Sequence, residues 1–465
     1  MKSAARASVG VVAIVLAASA VIAQKNSIVP QPRASALPAP GAASPKPSRS
    51  VTRPEGAMPA VPAGFTVTSY AEIRSPRMMV YAPNGDLFVS SPGTNTITVL
   101  RDANSDGVFE AQNVFAQGAP PPPRGGGPPP QGGARAGVPG RGAGGPPPGF
   151  GRGRGAPPVL GADAPACAPP PEFAVRGPGT LQAPFGIAFH DGYLYVGNTA
   201  SLVRYKYANG DLQAQGEPEK LLDLPAGGHS TRNVLFNRAG TKMYIAVGSQ
   251  SNNDAGEDCR RAAILEFNPD GSGYRVYASG IRNPVGLALQ PGTDTIWTAM
   301  NERDNLGDDL VPDYATSVRD GGFYGWPYSY IGSNYDPRYI GSFPDLVKRA
   351  IVPDVLLPAH AAALGITFYT GTQFPQRYRN GGFVALHGSW NRSVASGYKV
   401  VFFPMANGRP GPIEDFLTGF LASDGLGDTP IEQWGRPVGV TVARDGALLV
   451  SDDSGNRIWK ISAAR

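Results

Sequence analysis

Six segments of the sequence share one pattern, in which an apolar alternating strand, a turn that contains glycine and a second strand follow one another. Short strands joined by tight turns are typical of antiparallel hairpins. Repeated units of a few strands favour radial blades over a sandwich, and no stretch of comparable length has the period of an amphipathic helix. The sequence therefore predicts an all-β fold, a six-bladed β-propeller with four-stranded antiparallel blades. The six segments are "SPRMMVYAPNGDLFVSS", "APFGIAFHDGYLYVGN", "HSTRNVLFNRAGTKMYIAVGS", "RNPVGLALQPGTDTIWTAM", "AALGITFYTGTQFPQRYRNGGFVALHGS" and "RPVGVTVARDGALLVSD".

The first residues have the pattern of a secretory signal. Basic Lys2 and Arg6 precede an apolar run that ends in small residues, and this run is too short for a comfortable membrane span. We expect residues 1–23 to be a signal peptide that is cleaved after Ala23. The mature protein is then expected to be periplasmic or secreted, with no stable membrane insertion.

Two further segments have compositions that do not support a core of their own. Residues 24–57 are rich in proline, alanine and serine, and residues 118–165 are rich in proline and glycine. Neither can bury enough apolar surface to offset the entropy lost on ordering. The sequence predicts a disordered tether over 24–57 and a disordered insert at about 118–165, which interrupts a propeller spanning 58–465.

The charge of the chain is unevenly distributed. The formal net charge is +5, but the signal, tether and insert together carry more positive charge than this, so the remaining body is mildly acidic. Such a body argues against a nucleic-acid groove, although the insert has arginine-glycine pieces of the kind found in RNA-binding tails. We expect no nucleic-acid partner.

Propeller geometry predicts where a site would lie. The loops beside the central axis converge on one mouth, so polar residues at equivalent places in the repeats meet there. These residues are Gln182, His229 with Arg232, Arg282 with Asn283, His387 with Arg392, and Arg436.

His229 is the candidate general base. It follows two glycines, which let the backbone bring the ring close to a ligand, and an imidazole is suited to take a proton from a substrate hydroxyl. A structural role satisfied by hydrogen bonds is the alternative reading, and His387 is the next candidate base. The sequence contains no HExxH, CxxC or GxSxG motif, and no GxGxxG run follows a strand, which argues against zinc, serine-hydrolase and nicotinamide chemistry.

The stretch "NERDNLGDD" places four carboxylates in one loop after a buried strand. Like charges this close repel unless something pairs them. Either the loop is simply solvated, or it helps to hold a hard cation, which prefers oxygen ligands. Nearby, Arg282 and Asn283 present donors suited to carboxylates and quinone oxygens, and Arg436 has the equivalent place in the last repeat.

A second acidic loop, "RDANSDGVFE", begins like a calcium loop at Asp102, Asn104 and Asp106. Asn113 stands where the bidentate glutamate of such a loop belongs, so a turn stabilised by side-chain hydrogen bonds explains the pattern almost as well. We retain it as a possible second calcium site. The two cysteines, Cys167 and Cys259, are compatible with a disulfide or with two separate thiols.

Four stretches taken together carry a resemblance to a known family. They are "GIRNPVGLAL", "NERDNLGDDLVPD", "GGFYGWPYSY" and "HGSWNRSVASGYKV", and they resemble the sorbosone dehydrogenase branch of the soluble quinoprotein sugar dehydrogenases. The resemblance covers most of 58–465 apart from the insert. It implies a six-bladed propeller that holds pyrroloquinoline quinone over a calcium ion at its mouth.

The resemblance also implies roles for individual residues. His229 matches the catalytic base, and the residues matched to cofactor binding are Arg282, Asn283 and Arg436, with Arg392 standing in for a lysine of the fifth blade. Asp304 and Asn305 stand where the family holds calcium. Ser249 replaces the aspartate that polarises the histidine in glucose-oxidising members.

The implied activity is that of an exported quinoprotein that oxidises an aldose or sugar aldehyde, sorbosone-like, by hydride transfer to pyrroloquinoline quinone. No CxxCH haem motif is present, so a separate electron acceptor is expected. Two alternatives stay open from the residues alone. One is a calcium-dependent propeller lactonase, and the other is a non-catalytic extracellular binding propeller.

Overall fold

The structure is a computed structural model that describes residues 31–104, 106–120 and 176–464. In these ranges helix is confined to one five-residue α-helix and three single turns of 3-10 helix, namely Pro344–Lys348, Ala34–Ala36, Pro337–Tyr339 and Gln376–Tyr378. The prediction of an all-β fold is confirmed. No helix in the described ranges has the length and apolar character needed to cross a membrane.

Six antiparallel sheets follow one another along the described chain. The first contains Met79–Tyr81, Leu87–Ser91, Thr96–Arg101 and Ala111–Gln117. The second contains Ile187–His190, Tyr193–Gly197, Ser201–Lys206 and Glu219–Asp223, with Gly177–Pro178 added at its edge. The third contains Val234–Phe236, Met243–Val247, Ala263–Phe267 and Arg275–Ser279, and Gly322–Phe323 joins its edge in parallel.

The remaining sheets continue the pattern. The fourth contains Asn283–Leu289, Ile296–Asn301, Pro312–Ser317 and Val355–Ala359. The fifth contains Ala363–Phe368, Gly382–Leu386, Lys399–Phe403 and Glu414–Leu417. The sixth contains Pro437–Val442, Leu448–Asp452, Arg457–Ala463 and, as its outer strand, Phe65–Glu72 from the other end of the chain.

Three smaller β-structures accompany these six sheets. They are the three-stranded sheet of Arg49–Ser50, Ile431–Gln433 and Leu421–Asp424 and the two hairpins Ser329–Tyr330 with Asn334–Tyr335 and Met405–Ala406 with Arg409–Pro410.

The first strands of the six sheets contact one another in a closed cycle, in which each lies beside the first strand of the next sheet and the sixth beside the first. Repeated glycines permit this approach. A Cβ atom on Gly286 would lie 2.3 Å from the carbonyl oxygen of Leu364, and one on Gly439 would lie 2.3 Å from that of Arg77. Gly186 and Gly365 meet the backbone of the neighbouring sheet in the same way. In these four repeats the glycine therefore lies where one sheet contacts the next.

The inner strands are buried on both faces, which explains their nearly continuous apolar runs. All five residues of Leu87–Ser91 and of Met243–Val247 are buried. Their side chains pack between neighbouring sheets in clusters such as Leu194, Val196 and Val203 with Phe88 and Ile97. This packing fixes the position of the loops at the strand ends.

The prediction of a disordered tether is wrong over residues 31–57. Arg49–Ser50 pairs in parallel with Ile431–Gln433, and the amides of Gly41 and Lys46 donate to carbonyls of neighbouring loops. Val51 packs against the core of the fifth and sixth sheets. The segment has no core of its own, but it packs against the core of the neighbouring sheets and donates hydrogen bonds to carbonyls beside it.

Several predicted features lie outside the described residues. They are the signal peptide at 1–23, residues 24–30 of the tether, residues 121–165 of the insert, and Cys167. Cys259 is disulfide-bonded.

Candidate active site

His229 is held by a loop that only glycine can form. Gly227 and Gly228 have φ angles of 77° and 58°, and a Cβ atom on Gly228 would lie 2.6 Å from the carbonyl oxygen of Ser249. The same carbonyl accepts the backbone N–H of His229 at 3.0 Å and lies 2.9 Å from its Nδ1. The ring is 4% exposed. The Ser249 carbonyl therefore fixes both the backbone and the ring of His229.

This hydrogen bond determines the tautomer. Because a carbonyl can only accept, Nδ1 carries the hydrogen, and Nε2 of the neutral ring is left with its lone pair. Nε2 makes no hydrogen bond to any residue in the described ranges. Burial, and next the charge of Arg282, lower the pKa of His229 to about 3. The imidazole is thus neutral near pH 7 and able to accept a proton at Nε2.

Arg282 and Asp304 form the charged centre of the site. Arg282 Nη2 lies 3.3 Å from Asp304 Oδ2, and the two side chains are 5% and 17% exposed. The other nitrogens of the guanidinium donate to the carbonyls of Asn252 and Glu302, at 2.9 and 2.6 Å. Arg282 therefore ties two loops together and places its charge beside the predicted metal ligand.

Asp304 also contacts two residues that sequence reasoning did not select. Its Oδ1 lies 3.4 Å from His360 Nδ1 and 3.5 Å from Asn391 Nδ2. Burial lowers the pKa of His360, but the contacts with Asp304 outweigh it and hold the pKa above its ordinary value. Asn305, the other predicted metal ligand, has an exposed side chain and a φ of 72°.

The other carboxylates of the acidic loop have partners inside the protein. Glu302 Oε2 lies 2.9 Å from Arg303 Nε, and both side chains are fully buried. Arg303 also pairs with Asp336 at 3.0 Å. Asp308 accepts a hydrogen bond from Ser393. Only Asp304 of these carboxylates faces His229 and Arg282.

Arg392 is bound to the same acidic loop. Its Nη1 lies 2.8 Å from Asp309 Oδ1 and donates to the carbonyl of Asp308. Its buried Nε has no hydrogen-bond partner among the described residues. Arg392 is thus next to the predicted metal loop, with its buried Nε donor left for a ligand.

Arg436 forms a separate group with His387. It donates from Nε to the carbonyl of His387 at 3.0 Å and from Nη2 to that of Gly388 at 2.9 Å. His387 Nε2 lies 2.9 Å from Asp453 Oδ1, and Arg77 lies 2.6 Å from Oδ2 of the same carboxylate. Burial, followed by the charge of Arg436, lowers the pKa of His387 to about 4. The alternative base is therefore also neutral near pH 7.

Asn283 and His229 both lie against Gly248. A Cβ atom on Gly248 would be 2.3 Å from Asn283 Oδ1 and 2.6 Å from His229 Cβ, so the glycine permits both side chains to approach. Arg232, by contrast, is fully buried below the loop and donates to the carbonyls of His229 and Pro225. It supports the loop rather than facing a ligand.

Unpartnered buried atoms test whether this site fits a cation and an anionic cofactor. Within the described ranges, Asn283 Oδ1 and Asn391 Oδ1 are buried acceptors without a partner, and Arg392 Nε is a buried donor without one. Amide and carboxylate oxygens are ligands of calcium, and guanidinium donors suit carboxylates. The residues therefore fit both groups.

The second acidic loop gathers a different set of residues from the predicted one. One carboxylate oxygen each of Asp102, Asp106 and Glu110 lies within 4.8 Å of the others. Asn113 instead belongs to a strand and pairs with Val99. Hydrogen bonds such as Asp106 N–H to Asn104 Oδ1, at 2.8 Å, also form the turn that was the alternative explanation. The second calcium site stays a prediction, with Glu110 added.

Two comparisons bear on the family. The glucose/sorbosone dehydrogenase family model matches residues 196–389, and a TrAA12-like model matches 347–464. An uncharacterised protein of Borreliella burgdorferi is 31% identical over 297 residues, which cover 61% of this chain and 76% of that protein. The chain belongs to the glucose/sorbosone dehydrogenase family. The predicted membership of the sugar dehydrogenase family is confirmed, and with it the prediction of an enzyme of the sugar dehydrogenase class.

Two further proteins that resemble this member of the glucose/sorbosone dehydrogenase family have names that mention a cofactor or an ion. A pyrroloquinoline quinone-dependent pyranose dehydrogenase of Coprinopsis cinerea is 29% identical over 298 residues, 50% of this chain. The match covers only 39% of the fungal protein. A calcium structure of a family AA12 enzyme from Trichoderma reesei aligns with a TM-score of 0.64 at 16% identity, covering 87% of this chain and 97% of that one. The last likeness concerns the fold alone.

Proposed function

We propose that this protein is an exported quinoprotein that oxidises an aldose or sugar aldehyde, sorbosone-like, with pyrroloquinoline quinone and calcium bound at the mouth. The observation that carries the proposal is the arrangement of His229, with a free Nε2, beside the Arg282–Asp304 pair and the unpartnered amide oxygen of Asn283. The name of the Coprinopsis relative supports the quinone, and the unpartnered oxygens of Asn283 and Asn391 support the cation.

The finer architecture belongs to the same proposal. We take the six sheets to be blades of a six-bladed propeller, with the strands at the edges of the second and third sheets as additions to a four-stranded plan. The closed cycle of contacts between first strands supports this view. In such an arrangement, the loops that carry His229, Arg282, Asp304 and Arg436 open on one face.

The bound quinone would supply the two-electron acceptor for the sugar's hydride. His229 would take the hydroxyl proton at Nε2, held in place through Nδ1 by the Ser249 carbonyl. General-base catalysis of this kind contributes about 10²- to 10⁴-fold to a rate. Asn283, which lies with His229 against Gly248, is placed to orient either the substrate or the cofactor.

The remaining residues would hold the two bound groups. Arg392, through its free Nε, and Arg436 bring positive charge for the carboxylates of the cofactor. Asp304 and Asn305 are the predicted calcium ligands, and Asn391 adds an unpartnered oxygen beside Asp304. Burial raises the pKa of Asp304, but the hydrogen bond with His360, followed by the charge of Arg282, outweighs burial and lowers the pKa below its ordinary value.

Two other functions are alternatives that the experiment described below distinguishes from this one. The oxygens of Asp304, Asn283 and Asn391 also suit a metal-dependent lactonase, which would turn over lactones with calcium and no quinone. A binding propeller would show neither activity. Periplasmic or secreted localisation and a separate electron acceptor are parts of the proposal that rest on the sequence alone.

The experiment is reconstitution of the purified protein with quinone and calcium, separately and together. The proposal expects sugar-dependent reduction of an artificial dye only when both are present, and the initial panel should include aldoses, sorbosone and lactones. Lactone hydrolysis in calcium alone would select the lactonase. Absence of cofactor binding and of all turnover would contradict both enzymes.

A further inference from the structure

The N-terminal strap, which we define as residues 37–50, lies across three loops at the site end of the sheets. The backbone N–H of Gly41 donates to the carbonyl of Leu306, and that of Lys46 to the carbonyl of Trp390, each at 2.9 Å. Arg49–Ser50 then pairs with the strand at Ile431–Gln433. One extended segment thus touches parts of the chain that are far apart in sequence.

Two of these loops carry the candidate active site. Leu306 directly follows Asp304 and Asn305, and Trp390 directly precedes Asn391. Asn391 Nδ2 in turn lies 3.5 Å from Asp304 Oδ1. The strap therefore joins, from outside, the same two loops whose side chains meet at the predicted cation site.

Lys46 fastens the strap to the third loop. Its Nζ donates to the carbonyl oxygens of Gly425, Gly427 and Thr429, at 2.6, 2.7 and 3.4 Å. An ammonium group has three hydrogens, so these contacts use all of them, and hydrogen bonds from a charged donor are stronger than neutral ones. Leu37 adds an apolar contact with the cluster that Leu306 also joins.

We propose that the N-terminal strap is a positioning element of the active site, with Lys46 and Gly41 as its two anchors. It holds the Asp304–Asp309 and His387–Arg392 loops at the separation at which Asp304 and Asn391 share one cation. This inference rests on the proposed function for its effect on ligands. No strap residue contacts His229 within the described part of the chain. The strap therefore affects the affinity for calcium and quinone, whereas the residues at the mouth carry out the chemical step.

The chain offers matched pairs of variants to test this. Gly41→Pro removes the N–H that binds Leu306, whereas Gly41→Ala keeps it, and an added Cβ there meets no atom within 4 Å. Lys46→Met removes the ammonium but keeps an apolar stem. Lys206→Met, at an exposed lysine, is the control for loss of one positive charge.

The first measurement needs no cofactor. Hydrogen exchange should become at least about tenfold faster in residues 301–309 and 387–396 in Gly41→Pro and Lys46→Met, and stay at the wild-type rate in both controls. Exchange in the buried strand Met243–Val247 should be unchanged in all four, which shows that the fold is intact. Unchanged exchange in the two site loops would overturn the proposal, whatever the protein's activity.

The second measurement is calorimetric titration with calcium, together with kcat and the apparent Kd for quinone. We expect the affinity for calcium to fall about 5- to 50-fold in the two strap variants, while kcat at saturating calcium and quinone stays within twofold. Faster loop exchange with unchanged affinity would overturn the positioning role. If the wild-type protein binds neither calcium nor quinone, the proposed function is wrong, and so is the effect of the strap on ligand affinity. The exchange data would still decide whether the strap holds the two loops in place.

Discussion

His229 and Ser249 are joined by a hydrogen bond of 2.9 Å between the ring Nδ1 and the main-chain carbonyl oxygen. The Ser249 hydroxyl is also 3.1 Å from Nδ1, but it donates its own hydrogen to the carbonyl of Ser251 at 2.6 Å. A neutral main-chain acceptor therefore orients the base, at the position where the resemblance leads one to expect an aspartate.

The first prediction follows from the free Nε2. His229→Gln keeps a polar group of similar reach but cannot take a proton near pH 7, so kcat should fall by about 10²- to 10⁴-fold. Quinone affinity, measured by equilibrium titration, should change less than about threefold. A quinone-loaded His229→Gln protein with a near-normal rate would make His387 the base instead.

The second prediction concerns Asp304. Asp304→Asn removes the charge that faces Arg282, so calcium affinity should fall by at least about 100-fold. The free energy of unfolding should fall by about 1 to 3 kcal/mol, less than for a fully buried pair because 17% of the Asp304 side chain is exposed. Calorimetry and urea denaturation measure the two effects.

Asp254→Asn is the control for the Asp304 variant. Asp254 belongs to an exposed ion pair with Arg338, and such pairs contribute little to stability. It should leave both quantities near their wild-type values. Wild-type calcium affinity in Asp304→Asn would show that the cation, if bound, lies elsewhere.

The third prediction is a dependence of stability on pH through His387, whose pKa is lowered to about 4 by burial and then by Arg436. The unfolded histidine, with a pKa of about 6.5, binds its proton first as the pH falls. The stability that neutral His387 contributes is thus present above about pH 6.5 and is lost as the pH falls toward 4. His229 acts in the same direction.

Two buried carboxyls act in the opposite direction, which is why a variant is needed to isolate His387. Burial raises the pKa of Asp313 to about 7 and that of Asp452 to about 6, so their contribution is lost as the pH rises. In His387→Gln, the loss of unfolding free energy between pH 7 and 4.5 should be smaller than in the wild type by about 2 kcal/mol. Equal losses in urea denaturation would contradict the assignment.

The fourth prediction separates two readings of the second acidic loop. If Asp102, Asp106 and Glu110 hold calcium, Glu110→Gln should abolish the weaker of two calorimetric transitions. Asn113→Ala should leave that transition unchanged, because Asn113 lies in a strand. A single calcium site in the wild-type protein would mean that the loop is held by its own hydrogen bonds.

The sequence predicted the repeated architecture because each repeat carries its own local signal. Gly286 and Gly439 occupy matching places in "NPVGLAL" and "RPVGVTV", and both turn out to lie where one sheet approaches the next. Arg282 and His229 could be selected for the same reason, since their place within a repeat is visible in the sequence.

The rest of the site depends on contacts between distant segments, which leave no local pattern. His360 and Asn391 were not selected because their relation to Asp304 exists only once the loops meet. The sequence shows one arginine, Arg303, among four carboxylates, but it does not show that Glu302 is the one that pairs with it in the core. The strap was predicted to be disordered because composition measures what a segment can bury alone, whereas Lys46 binds carbonyls supplied by another loop.

Quinone, calcium and sugar are proposed to meet at His229, and an absorption spectrum can detect all three at once. The protein would be incubated with pyrroloquinoline quinone and calcium, passed through a desalting column, and scanned before and after a panel of aldoses. We expect the quinone absorption to stay with the protein and at least one aldose to bleach it rapidly, and far more slowly in His229→Gln. Quinone that elutes free of the protein, or a spectrum that no sugar changes, would show that the three do not meet at His229.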